Sequence, residues 1–319
     1  MGVAMLVRIV GHCWSVKVTI ALLLERGGFT QTVVYLSNIM RGALNSCAFL
    51  ILIVSVSATY AGESNLKSDE IYSAWLQMYD LQFGQAHLEL ERWQQAHPDD
   101  SLGLASDAAA YLFSELARLG SLEAELFVDD NRFKNRKKLD PDPKVKISFN
   151  ERIDQADRRA DAVLQRSEGD ARALFVKTLT HGLRADYVAL IDGRGVKALS
   201  YTKTGRVYAE RLLAADPHAF DAYLGPGVEN YLLSLKPVAL RVLLRLSGSQ
   251  VDREAGLEKL RKAAAQGYYL EPFAKLLLAV AALRDNEPQK AREILSALHE
   301  RFPNNELYSL ELNRLTSTP

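Results

Sequence analysis

The stretch from Pro272 to Pro303 reads Pro-Phe-Ala-Lys-Leu-Leu-Leu-Ala-Val-Ala-Ala-Leu-Arg-Asp-Asn-Glu-Pro-Gln-Lys-Ala-Arg-Glu-Ile-Leu-Ser-Ala-Leu-His-Glu-Arg-Phe-Pro. Two segments with helical apolar spacing flank the polar turn Arg284-Asp285-Asn286-Glu287, and Pro303 closes the second. Counted from Pro272 as position 1, Leu278 and Ala279 stand at 7 and 8, Ala291 at 20, Leu295 at 24 and Leu298 at 27. The same count, anchored on Pro98, puts Ala74 at 8, Ala86 at 20, Leu90 at 24 and Trp93 at 27. Anchored on Pro217, it puts Gly193 at 8, Gly205 at 20, Ala209 at 24 and Leu212 at 27. Small residues therefore recur at 8 and 20. Two antiparallel helices come close only where side chains are small, and the larger apolar residues fill the seam beside that contact.

A window of about 34 residues with this pattern resembles the tetratricopeptide repeat, TPR. The resemblance implies an all-α fold, a right-handed superhelix of stacked helical hairpins. It implies close packing at Ala74, Ala86, Gly193, Gly205, Ala279 and Ala291, with Pro98, Pro217 and Pro303 ending the hairpins. Such a hairpin cannot bury its apolar face alone, so neighbours stack and leave a concave surface. The repeat names an architecture and a class of function, the binding of extended peptides or proteins.

At 319 residues and 48% hydrophobic content the chain has ample material for a core. Its formal net charge of zero lacks the basic excess of a nucleic-acid protein. The N-terminus carries Met40-Arg41, then the apolar run Ala48–Val54, then Thr59-Tyr60-Ala61 before Gly62. A cation, a short apolar core and a small-x-small site in that order form a secretory signal peptide. It is complete from Met40, which makes residues 1–39 an over-called start or a non-structural leader. The alternative is an uncleaved inner-membrane anchor over residues 44–61. Export to the periplasm or beyond is the expected localisation. Both cysteines, Cys13 and Cys47, lie in the leader, so a chain starting at Gly62 has no disulfide and no thiol nucleophile. The leader's net charge of +3 leaves the remainder near −3.

Helical spacing runs through residues 62–128, with helices expected at Asp69–Phe83, Gly84–His97 and Ser101–Leu119. Residues 129–149 are charged and carry Pro141 and Pro143. They read as a linker loop, and the cations between Arg132 and Lys138 as solvated charge or a docking patch for an acidic partner. Helical repeats resume at Asn150 and continue to residue 319. They include Ala171–Ile191, Gly205–Ala215, Ala219–Leu235 with a break at Gly225-Pro226-Gly227, and Val238–Leu246. Asp252–Ala265, Pro272–Arg284, Pro288–Arg301 and Asn305–Leu315 complete them. No sustained period-2 alternation marks a strand.

Residues 225–303 hold Gly225 and Gly227, Ser234-Leu235 with Pro237, Gly248 with Asp252-Arg253, and Gly256-Leu257. That series resembles a eukaryotic family of TPR-containing inclusion-body clearance proteins, which implies the same repeat architecture over residues 225–303.

The motifs of phosphate loops, zinc peptidases, serine hydrolases and calcium loops do not occur in the sequence. His87, His97, His181, His218 and His299 have no pair at i, i+3 or i+4, so no helical metal pair arises, and neither metal nor cofactor is expected. A hydrolase of cell-wall or sugar polymers needs two carboxylates facing one cleft, which sequence does not display. It stands as the enzyme alternative, beside a membrane-tethered assembly factor. Tyrosines dominate residues 187–269, with Arg184, Asp186, Asn230, Asp252 and Arg253 beside them. Tyrosine offers contact area and a polar tip at low entropic cost. Arg184, Tyr187, Tyr201, Tyr223, Asn230, Tyr231, Tyr268 and Tyr269 are therefore the candidate protein-binding groove. The competing role for each is packing within the repeats. The expected partner is a protein or peptide rather than nucleic acid, and a membrane only if the leader is retained.

Overall fold

The computed structural model describes residues 66–121 and 139–317, and every regular element among them is helical. The two leader segments, 1–39 and 40–61, and the cations Arg132–Lys138 lie outside the described residues. The elements are α1 (Asp69–Tyr79), α2 (Phe83–Ala96), α3 (Ser101–Arg118), α4 (Pro143–Arg166), α5 (Ala171–Asp186) and α6 (Gly195–Ala215). Then come α7 (Leu224–Ser234), α8 (Val238–Leu246), α9 (Arg253–Gln266), α10 (Glu271–Arg284), α11 (Pro288–Arg301) and α12 (Glu306–Ser317). A π-helical turn, Tyr187–Ile191, extends α5, and a 3-10 turn, Phe220–Tyr223, leads into α7.

Side-chain caps set several of the starts. Asp100, Asp142, Asp170 and Asp252 accept hydrogen bonds from the amides of Gly103, Lys144, Ala173 and Ala255 at 2.8–3.0 Å. Each fills a donor that the first turn of a helix leaves open. The Asp142 cap, followed by Pro143 at the first helical position, starts α4 seven residues before Asn150, so the end of the expected linker is helix. Gly225-Pro226-Gly227 makes no break either. It occupies the first turn of α7, where a missing amide costs nothing. α1 ends at Tyr79 rather than Phe83, because Leu81 turns into the left-handed region at φ 59°.

Hairpins repeat in hydrogen-bond detail. After α1, the amides of Asp80, Leu81 and Gln82 donate to Leu76, Met78 and Gln77; after α10, Asp285, Asn286 and Glu287 donate to Ala281, Leu283 and Ala282. These are the same bonds 205 residues on, and Asn286 takes the place of Leu81 at φ 60°. The closing turns also match. His97, Asp216 and Phe302 cap α2, α6 and α11 through the amide-to-carbonyl bond four residues back, and Pro98, Pro217 and Pro303 follow them, exposed. Ala74 and Ala86, and Ala279 and Ala291, are buried in the two similar hairpins.

The middle hairpin departs from that register. Gly205 is buried, and a Cβ on it would lie 3.2 Å from that of His181 and 3.6 Å from the Thr178 carbonyl. Gly193, placed opposite it by the count, is instead exposed in the α5–α6 turn at φ 67°. Both arms of this hairpin are longer than those of the first, so the count from the closing proline falls on buried residues along α6 and runs out of α5.

A stack in which each hairpin met only its neighbours would hold α1 away from α10 and α11. Here they join. The Tyr269 hydroxyl donates to the Leu66 carbonyl at 2.8 Å and accepts from the Ser68 amide at 2.9 Å. The Tyr79 hydroxyl donates to the Tyr269 carbonyl, and Asn305 donates to the carbonyl of Tyr79. Tyr72 stacks on Tyr268 with ring centroids 4.4 Å apart. The Asp221 carboxylate, buried beneath, accepts from the amides of Tyr268, Tyr269 and Leu270 at 2.9–3.1 Å, which fixes the 268–270 segment.

Candidate binding surface

Three helices in sequence build one strip of mixed charge and aromatic rings. α4 carries Asp154, Asp157 and Asp161, spaced three and four residues apart, so they share a face. α5 carries Lys177, His181 and Arg184 on the same principle. Lys177 bridges Asp157 and Asp161 at 3.1 and 2.9 Å, and Arg184 bridges Asp154, at 2.7 Å, and Asp157. The Thr180 hydroxyl adds a 2.7 Å bond to Asp157. Burial alone would raise the pKa of Asp157, but Arg184 and Thr180 outweigh it and hold the carboxyl below its ordinary value. Burial also works against the Lys177 cation, and Asp161 and Asp157 raise its pKa nonetheless.

α6 supplies the aromatic side. Tyr201 and Tyr208, two turns apart and half-buried, flank the His181 ring at 6.4 and 5.4 Å. Gly205 between them lets α6 approach α5 closely. Lys197 lies 5.9 Å from the Tyr201 ring, and Lys177 and Arg211 lie 5.4 and 5.6 Å from Tyr208. Burial lowers the pKa of His181, whose Nδ1 is within 2.9 Å of the Lys177 carbonyl. At neutral pH the ring is thus a flat, uncharged spacer between two tyrosines.

The eight candidate groove residues fall in four places. Arg184 and Tyr201 belong to the strip. Tyr187 is buried in the π-turn and stacks on Phe149 at 4.9 Å, with burial pushing its pKa up to about 12. Tyr223, Asn230 and Tyr231 surround the α7–α9 crossing. Tyr223 is half-buried beside Lys262; Asn230, buried, donates to the Pro226 carbonyl and to Gln250; Tyr231 is buried under Arg253. Tyr268 and Tyr269 form the joint to α1. His181, Lys177 and Asp157 were not singled out from sequence. Their only signal was the matched three-and-four spacing of acids on one helix and cations on the next.

Two of the motif glycines, Gly227 and Gly256, have a packing role at the α7–α9 crossing. A Cβ on Gly256 would meet the Tyr231 amide nitrogen at 2.6 Å and the Gly227 carbonyl at 3.0 Å. Asp252 caps α9 and Arg253 pairs with Asp285. Gly248, at φ 85°, turns the chain out of α8.

An open cleft of about 390 Å³ lies between the α2–α3 and α4–α5 turns, lined by His97, Asp100, Val163 and Arg172 among others. Its central acid is committed to structure. Asp100 accepts from Arg172, Trp93 and Gly103 at 2.8 Å, and these bonds overcome burial to keep its pKa low. Among the described residues no cluster of three or more His, Cys, Asp or Glu side chains is arranged for a metal ion. No protein-family model matches the chain, and no curated protein is similar to it.

Proposed function

We propose that this chain is an exported scaffold of the TPR type that binds an extended peptide or protein and performs no chemistry on it. The strip on α4, α5 and α6 carries the reading. Tyr201 and Tyr208 stand partly exposed on one helix face, with cations beside them and exposed Asp154 and Asp161 across α5. Aromatic anchors flanked by charges of both signs suit a backbone laid along the groove with mixed side chains. The TPR assignment rests on the recurring small residues, the matching turns 205 residues apart and the shared closing turns. The order Arg41, Ala48–Val54 and Thr59-Tyr60-Ala61 supports export.

The test is capture of the partner from the periplasmic fraction by wild type and by the double variant Tyr201→Ala, Tyr208→Ala. Circular dichroism first establishes that the variant folds. Truncating an aromatic anchor costs about 2 kcal/mol or more, so affinity should fall at least about thirtyfold. Affinity within threefold of wild type removes the strip as the site.

A further inference from the structure

We propose that the outward face of α8 docks on the surface of an anionic lipid bilayer. The observation is an inverted helix. Of the exposed large apolar side chains among the described residues, half stand on this one element: Val238, Leu240, Val242, Leu243 and Leu246. At about 100° per residue, Val238, Val242 and Leu246 form one stripe and Ala239 and Leu243 the next. Leu244, on the opposite side, is buried against the body. Leu246 is 80% exposed and Val238 66%. A helix in a water-soluble protein turns its apolar stripe inward, so an outward stripe is a contact surface waiting for a cover.

Charge identifies the cover. From Asn230 to Val251 there is no Asp or Glu, while Lys236, Arg241 and Arg245 are all cationic. Arg245 donates to the Val251 carbonyl at 2.7 Å, and Lys203 of α6 donates to the Ser247 carbonyl at the end of α8. A carbonyl partner positions a cation without neutralising it. Lys203 also shares a face of α6 with Val196 and Val207, which are 87% and 50% exposed, so apolar surface and cations continue past the helix end. The nearby acids Glu210 and Glu229 are both paired with Arg206. An apolar stripe flanked by cations, with the nearby acids already paired, matches the boundary between acyl chains and anionic headgroups. At nine residues α8 is about 13 Å long and lies in that plane rather than crossing it.

The surface is separate from the tyrosine strip, and the two readings fail separately. The full chain, with Cys13→Ser and Cys47→Ser to remove its own thiols, takes an environment-sensitive fluorophore through Leu246→Cys. A second preparation takes it through Leu88→Cys, exposed on α2. Each is titrated with vesicles of phosphatidylcholine alone and of phosphatidylcholine with phosphatidylglycerol at about 7:3. Emission at position 246 should shift to the blue with the anionic vesicles only, and emission at 88 should not move. Adding Lys203→Gln and Arg245→Gln should raise the lipid concentration at half-shift about tenfold or more. The local probe separates this contact from any lipid affinity of the leader. No shift at 246, an equal shift with neutral vesicles, an equal shift at 88 or an unmoved half-point in the charge variant overturns the proposal. So does a blue shift that grows with protein concentration without lipid, which assigns the face to a second copy of the chain.

Discussion

Asp186 ends α5 where the π-turn begins, and burial pushes its carboxyl from 3.8 up to about 7. Its position contrasts with Asp157 one hairpin arm away, where Arg184 compensates for the same desolvation. A carboxyl pKa raised by folding means that the folded state resists ionisation. The contribution of Asp186 to stability is therefore intact below about pH 4 and is lost as pH rises through 7. Asp186→Asn keeps the shape and removes the titration. We expect a rise in melting temperature that is larger at pH 8 than at pH 5, read by differential scanning calorimetry. Equal gains at both pH values would assign the effect to packing rather than to charge. Sequence placed Asp186 among the tyrosines but contained nothing of its burial. A pKa depends on what other elements bring up to the group, and α5 alone does not determine that.

At the scale of helices, close crossings depend on small residues in two ways. In the hairpin of α10 and α11 the device is alanine. Ala291→Leu should overpack the buried seam and cost about 1–3 kcal/mol in urea unfolding. At the α7–α9 crossing the device is glycine. Gly256→Ala puts a methyl 2.6 Å from a backbone nitrogen, which cannot rotate away, so this smaller addition should cost at least as much as a typical overpacked site, about 1–3 kcal/mol. An unchanged midpoint for Gly256→Ala would mean that the two helices slide apart without penalty. The first and last hairpins turn at the same count back from their closing prolines, Leu81 before Pro98 and Asn286 before Pro303, so one count serves both. The middle one was legible only along α6, where Gly205, Ala209 and Leu212 are buried as their positions require. A period counts residues from one anchor, so lengthened helix arms move its prediction from a seam into a turn, as happened at Gly193.

Across the whole molecule, contacts between α1 and the segments at 268–270 and 301–305 tie the start of the described chain to its end. Tyr269 stands at the centre of this joint, stacked on Phe175 at 5.8 Å and bonded to Leu66 and Ser68. Tyr269→Phe keeps the ring and removes both hydroxyl bonds. We expect a loss of about 1–2 kcal/mol, and faster hydrogen exchange of the amides of α1 than of α5 or α9, since α1 can then open locally. Uniform acceleration across the chain would show that the joint is no separate unit.

What the sequence determined by itself is the part of this protein governed by local rules. Apolar spacing and closing prolines specify that helices form and near which residues they end, because each rule acts within a turn or a hairpin. The tertiary structure decided the rest. Tyr269 left the list of exposed candidates because α1 covers it from some 200 residues away. Asp157 and His181 became the middle of a strip because three helices align their faces. The apolar face of α8 could be read as a helix but not as an exposed one, since periodicity shows that a stripe exists and only packing shows which way it points.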